Sequence, residues 1–99
     1  MLRHIVMFQL TATDPAEKDA QVAEAKAQLE ALVGVVPGLR AMDVSRNVAF
    51  EGQNMDFALV ADFDDLAALE AYGTHPAHVK AAEYIGTIRS GRAAIDVEI

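Results

Sequence analysis

Cysteine is absent from the chain, and so is tryptophan. Without a thiol there is no disulfide, no thiolate nucleophile and no cysteine-ligated metal. Basic residues are scarce: 8 lysines and arginines stand against 15 acidic residues, a net charge of −7. A phosphate-backbone binder needs a basic stripe, and an anionic lipid surface attracts polybasic segments. Lys80, Arg89 and Arg92 are too sparse to form either. Long apolar runs are missing too. Ile5-Val6-Met7-Phe8 is too short for a signal-peptide core. Ala31 to Leu39 is broken by Gly34, Pro37 and Gly38 and falls far below the length of a membrane span. The expectation is a soluble, cytoplasmic protein with no nucleic-acid or membrane partner. Aromatics are few, 4 Phe and 2 Tyr, whereas alanine occurs 19 times. Alanine buries little area, so self-association is the expected source of additional burial. The length, 99 residues, suits one domain over residues 1–99.

Leu2 to Leu10 is β-branched and aromatic, which predicts a strand with His4, Val6, Phe8 and Leu10 on one face and Ile5, Met7 and Gln9 on the other. Asp14-Pro15-Ala16-Glu17 predicts a helix start, with Asp14 as cap and Pro15 in the first turn. Val22, Ala25, Leu29, Leu32, Val33 and Val36 recur at helical spacing, with Lys18, Glu24, Gln28 and Glu30 opposite, and Gly34, Pro37 and Gly38 end the helix by about Val36. Leu39 to Phe50 predicts a second strand, Glu51 to Met55 a hairpin loop, and the alternation through Phe57, Leu59, Ala61 and Phe63 a third strand. Asp64 suits the cap of a short helix over Asp65 to Tyr72, with Leu66, Leu69 and Tyr72 on its buried side. Thr74 suits the cap of a helix from His75-Pro76 to about Ile85. Ala93 to Ile99 predicts a last strand. Strand, helix, strand, strand, helices, strand is the ferredoxin-like split βαβ order: α+β, with a four-stranded antiparallel sheet and helices on one face. The helix-free face would carry Ile5, Met7 and Val60. Such a patch is best covered by the sheet of a second copy, which predicts a homodimer.

Among residues able to carry chemistry, His75 and His78 stand three apart on one helix. That spacing can share zinc, but no third ligand is evident beyond Glu83, and no metal or other cofactor is expected. Asp62, Asp64 and Asp65 could attract a cation, but carboxylates at a strand-to-helix junction more simply serve the helix start. His4, on the Val6 and Phe8 face, reads by itself as a core histidine. Tyr72 and His78 could both point back onto the sheet beside His4. A phenol next to an imidazole in a partly apolar pocket can act as an acid–base pair.

Three segments carry a family resemblance: His4-Ile5-Val6-Met7-Phe8-Gln9-Leu10, Asp56 to Phe63, and Ala68 to Val79 with its Tyr72-x-x-His75-Pro76-x-His78 element. Together they resemble the stress-responsive A/B barrel family of small dimeric α+β barrel proteins over nearly the whole chain. The resemblance implies a subunit whose sheet packs on a partner's, with helices outside. A plant polyketide cyclase of that family uses a tyrosine and a histidine that match Tyr72 and His78, with a pocket histidine matching His4. By that resemblance His78 takes a proton α to a carbonyl, Tyr72 polarises the system and His4 positions the substrate. Where that cyclase has bulky pocket residues, this chain has Ala25, Leu29, Gly73, Ala81 and Arg89. A long polyketide therefore fits poorly, and an arginine at the mouth suits a carboxylate. Some plant members carry magnesium on backbone carbonyls of a turn matching Val33 to Leu39.

The combined reading is a homodimeric barrel with a small pocket formed by His4, Val6, Phe8, Leu29, Leu59, Tyr72, His78 and Arg89. Its leading function is binding, or cyclase- or lyase-like acid–base conversion, of a carbonyl- or carboxylate-bearing metabolite. The competing reading is a non-catalytic stress-response or assembly protein in which the dimer is the function. A monooxygenase-like or haem-binding barrel, with His78 as iron ligand, is the third.

Overall fold

In the computed structural model, which describes residues 1–99, the first strand is β1, Leu2–Leu10. Helix α1, Pro15–Glu30, follows, and then strands β2, Leu39–Arg46, and β3, Phe57–Phe63. Helices α2, Leu66–Thr74, and α3, Pro76–Ile88, precede the last strand β4, Arg89–Glu98. The sheet runs β2-β3-β1-β4 with every neighbouring pair antiparallel, the ferredoxin-like order.

Register assigns the two faces. Val6 stands between Leu59 and Ala94, and Phe8 between Phe57 and Arg92. Val6, Phe8, Leu59, Ala61 and Phe63 are buried on this helix-covered side. Val22, Ala25 and Leu29 of α1 and Ala81, Ile85 and Ile88 of α3 meet them at helical spacing. On the other side Ile5 stands between Val60 and Ile95, and Met7 between Ala58 and Ala93. No helix covers that apolar row.

The element ends differ from the sequence reading for local reasons. The Asp14 cap is as expected: its Oδ2 accepts from the Glu17 amide at 3.0 Å. The helix, however, stops at Glu30 rather than near Val36. Residues 31–36 tighten into three-residue turns, Leu32 N to Leu29 O and Val35 N to Leu32 O, with Gly34 at φ 87°. Leu32 and Val36 still reach the core, whereas Val33 is exposed. Strand β2 ends at Arg46, not Phe50. The Arg46 guanidinium donates to the carbonyls of Asn47 and Asp56 and to Glu51, closing a loop in which Val48 and Phe50 are exposed.

The expected cap Asp64 is occupied elsewhere, because Arg40 donates to both its oxygens at 2.6 and 2.8 Å. Asp65 caps α2 instead, accepting from Ala68 N at 2.9 Å. Asp62 faces Arg3 across the strands and accepts from it twice. The three acidic residues thus serve three separate contacts. Thr74 closes the last turn of α2, and His75 caps α3, its Nδ1 accepting from the Ala77 amide at 3.1 Å. Leu66, expected on the buried side of α2, is exposed, and Tyr72 is the one buried residue of that helix. Strand β4 begins at Arg89, four residues before the expected Ala93. A register shift at Gln9/Leu10 lets Arg89 pair with Leu10 and extends the ladder.

Candidate functional site

The eight residues expected at a pocket border one cavity of about 150 Å³. His4, Val6 and Phe8 come from β1, Leu29 from α1, Leu59 from β3, Tyr72 from α2, His78 from α3 and Arg89 from β4. Ala82, Ile85 and Arg92 complete the wall and were not anticipated. Ala25, Gly73 and Ala81, aligned with pocket positions by resemblance, do not line it. Ala25 and Ala81 are buried in the core, and Gly73 contributes a carbonyl to His78. The volume matches a cavity that holds a molecule of roughly benzene size.

The cavity exists because β4 does not complete the core. Its residues on the helix-covered side are Arg92, Ala94 and Asp96, opposite Phe8, Val6 and His4. Charged and small side chains stand where a core strand would carry valine or leucine. The apolar set of β4, Ile95 and Val97, is turned to the helix-free face instead. The sequence does show this alternation, but only the register reveals which set faces the helices.

At one end His4 is nearly enclosed, with its side chain 12% exposed, and its Nδ1 lies 2.5 Å from Asp96 Oδ1. The carboxylate accepts, so Nδ1 carries a proton and Asp96 fixes the orientation of the ring. The sequence reading missed this contact, since Asp96 lies 92 positions from His4. His78 is half-buried, its ring 3.9 Å from that of Tyr72, centroid to centroid, and tilted by 37°. Its Nδ1 lies 3.4 Å from the Gly73 carbonyl, which leaves Nε2 as the free nitrogen. Burial pushes the His78 pKa down; the Gly73 carbonyl opposes this, and repulsion from His4 and His75 when they are protonated, and from Arg92, adds to it. His78 is therefore neutral near pH 7. Tyr72 is 3% exposed, and its hydroxyl is buried with no hydrogen-bond partner. Burial pushes its pKa well up, so the hydroxyl keeps its proton and can only donate it in a hydrogen bond.

No group of three or more His, Asp or Glu side chains is placed to share a metal. His75 spends Nδ1 on the Ala77 amide. In the turn Val33 to Leu39 the carbonyl of Val36 accepts from Leu39, that of Gly38 from Asp64, and Leu32 just before the turn accepts from Val35 and Val36. The carbonyls of Val33, Gly34, Val35 and Pro37 accept no hydrogen bond. A wider concavity of about 360 Å³, bordered by Met7, Met55, Phe57 and Ala58 among others, opens at the other side of the molecule and holds no histidine or tyrosine.

Residues 2–99 match the family described as Stress responsive A/B Barrel Domain. The chain belongs to that family. A dimeric protein of unknown function with a ferredoxin-like fold from Bacteroides fragilis NCTC 9343 is 31% identical, with a TM-score of 0.88 over 99% of this chain and 95% of that one. A dimeric ferredoxin-like protein from Thermobifida fusca YX is 30% identical, with a TM-score of 0.80 over 99% and 90%. Another from Jannaschia sp. CCS1 is 29% identical, with a TM-score of 0.79 over 99% and 98%. No curated protein matches the chain. No helix is long and apolar enough to cross a membrane.

Proposed function

We propose that this A/B barrel protein is a homodimer whose subunit cavity binds a small carbonyl compound and moves a proton at the carbon beside the carbonyl. One observation carries the reading: Tyr72, whose buried hydroxyl has no hydrogen-bond partner, borders a cavity that also holds the neutral imidazole of His78. An unsatisfied buried hydroxyl costs about 1–3 kcal/mol, and a ligand oxygen accepting from it removes that cost. In the reaction, His78 Nε2 takes the proton from the α-carbon, and its bonding pair moves into the enolate. Tyr72 donates to the enolate oxygen, where the negative charge gathers. His4, fixed by Asp96, offers Nε2 to orient the substrate. Return of the proton to another position, or attack of the enolate on a second carbonyl, would complete an isomerase- or cyclase-like turnover.

The test is deuterium exchange. Small ketones and keto acids are incubated with the protein in D₂O, and loss of the α-proton signal is followed by NMR. Exchange should be catalysed by the wild type and fall by about 10²–10⁴-fold in His78→Ala. A wild type that binds none of these compounds and exchanges none of their protons ends the reading and leaves the non-catalytic dimer in its place.

The homodimer rests on the row Ile5, Met7, Val60 and Ile95, which no helix covers, and on the dimeric relatives. Two such faces packed together bury it. Val60→Asp sets a second carboxylate beside its cross-strand neighbour Asp43 and forces a charge into that interface. Sedimentation should give twice the chain mass for the wild type, and the variant's dimer should weaken by about 100-fold or more. A wild-type monomer at micromolar concentration overturns the dimer.

A further inference from the structure

The chain's arginines divide into two groups. Arg3 is held by Asp62, Arg40 by Asp64, and Arg46 by Asp19 and Glu51. Arg89 and Arg92 make no ion pair and no side-chain hydrogen bond, and these two border the cavity. In a chain with 15 acidic residues and 8 basic ones, partners are not in short supply. Strand order explains the difference. Arg3 finds its carboxylate directly across the strand pair. Arg89 and Arg92 face Leu10 and Phe8 on β1, and β4 is an edge strand with no neighbour beyond it to supply one.

We propose that the cavity takes a short monocarboxylate, with its carboxylate held at the mouth by Arg89 and Arg92 and its carbonyl turned inward to Tyr72. The proposal rests on the small-molecule reading above and adds the ligand's charge, size and direction. Two unpaired guanidinium groups on one strand repel each other, and an anion between them relieves the repulsion. Guanidinium forks match the two oxygens of a carboxylate. Between mouth and inner end the wall is Val6, Phe8, Leu29, Leu59 and Ile85, which suits a short alkyl segment and offers no partner for a second charge. Tyr72, buried where the two arginines are exposed, borders the same cavity, and its unpaired hydroxyl is a donor that needs an oxygen. Cation, apolar wall and hydroxyl donor together describe a keto acid of a few carbons. The cationic mouth also gives a protein of net charge −7 a local means of attracting an anion.

Calorimetry on the wild-type protein with levulinate (4-oxopentanoate), whose two methylenes separate carboxylate and carbonyl, its methyl ester and inorganic phosphate tests this. The acid should bind about tenfold or more tightly than the ester, and more tightly than phosphate. Arg89→Gln and Arg92→Gln should each weaken the acid about tenfold while leaving the ester and the melting temperature unchanged, since both side chains are exposed. Arg92→Lys should fall between, keeping the charge and losing the fork. Equal binding of ester and acid, phosphate binding as tightly as the acid, or indifference to both substitutions overturns the proposal. So does failure of every straight-chain keto acid of three to six carbons to bind at about 10 mM. Arginine-dependent binding without α-proton exchange would sustain the carboxylate site and remove the acid–base reading. Exchange of the ester that depends on His78, with no effect at either arginine, would do the reverse.

Discussion

The Lys18 ammonium lies 2.8 Å from Asp56 Oδ1, and both side chains are buried. Lys18 belongs to the α1 face that meets the sheet, four residues before Val22, so a charge enters the core. Asp56, just before β3, answers it and also accepts from the Leu10 amide at 2.7 Å. One carboxylate therefore ties α1, the end of β1 and the start of β3. Burial pushes the Asp56 pKa up, but the Lys18 ammonium and the Leu10 amide outweigh it and hold it below the usual carboxylate value.

Asp56→Ala removes the acceptor for the buried Leu10 amide and leaves the buried Lys18 ammonium with Glu51 alone. An orphaned buried N–H costs about 1–3 kcal/mol, or roughly 5–15 °C in melting temperature for a domain of this size. Scanning calorimetry checks this. A shift below about 2 °C would mean that the contact does not order the region.

Acid should destabilise the protein chiefly at low pH. Glu30, Glu51, Asp56, Asp62 and Asp64 are all held below their ordinary values by Lys26, Arg46 with Lys18, Lys18 with the Leu10 amide, Arg3 and Arg40 respectively. A depressed carboxylate pKa contributes stability above the unfolded value near 4, and that contribution is lost as pH falls through the folded value. The melting temperature should decline only slightly below about pH 6.5, where the unfolded chain protonates His78 before the folded one does, and fall steeply below about 4. A steep loss between pH 7 and 5 would point to histidine instead.

Gly38 approaches α2 closely. At φ 82°, a Cβ built there would meet the Ala68 Cβ at 2.6 Å. Gly34 has a similar φ of 87° and open space around it. Gly34→Ala should cost only the backbone term, about 1–2 kcal/mol. Gly38→Ala should cost that and the collision besides, with α2 and Tyr72 displaced. Urea titration of both variants separates the two costs, and equal midpoints would refute the close packing.

The order of the elements is legible in the sequence because it rests on periodicity, whereas the grouping of His4, Tyr72, His78 and Arg89 comes from the family resemblance. Val6, Phe8 and Leu59 fall on one parity, Leu29 lies on the apolar stripe of α1, and the Tyr72 to His78 spacing spans one helix-to-helix corner. What could not be read depends on contacts between distant residues. Asp64 looks like a cap until Arg40 takes it. Lys18 looks solvated until Asp56 is placed beneath it. The face of Arg92 and Asp96 is open in the sequence, because nothing in Ala93 to Ile99 says which parity meets the helices. Only pairing with β1 turns them toward His4 and Phe8.

Tyr72→Phe separates function from stability more sharply than any other change. The hydroxyl is buried without a partner, so deleting it removes an unsatisfied polar group and leaves the ring's edge contact with Phe63, 5.0 Å between centroids. The melting temperature should hold or rise by a few degrees. If the hydroxyl donates to a developing oxyanion, α-proton exchange should fall by about 10²-fold or more in the same variant. His78→Ala should lose exchange with a modest loss of stability, because the half-buried ring gives up its stacking on Tyr72. The pH profile of the wild type carries the remaining information. Exchange needs neutral His78, and His78 is held below its ordinary value near 6.5. The rate should therefore be level above about pH 6.5 and decline only as pH falls through the lowered value. No rise should appear at alkaline pH from ionisation of Tyr72, whose proton burial retains. A Tyr72→Phe protein with full exchange, or one that melts several degrees lower, would make the hydroxyl a structural element and remove it from the chemistry.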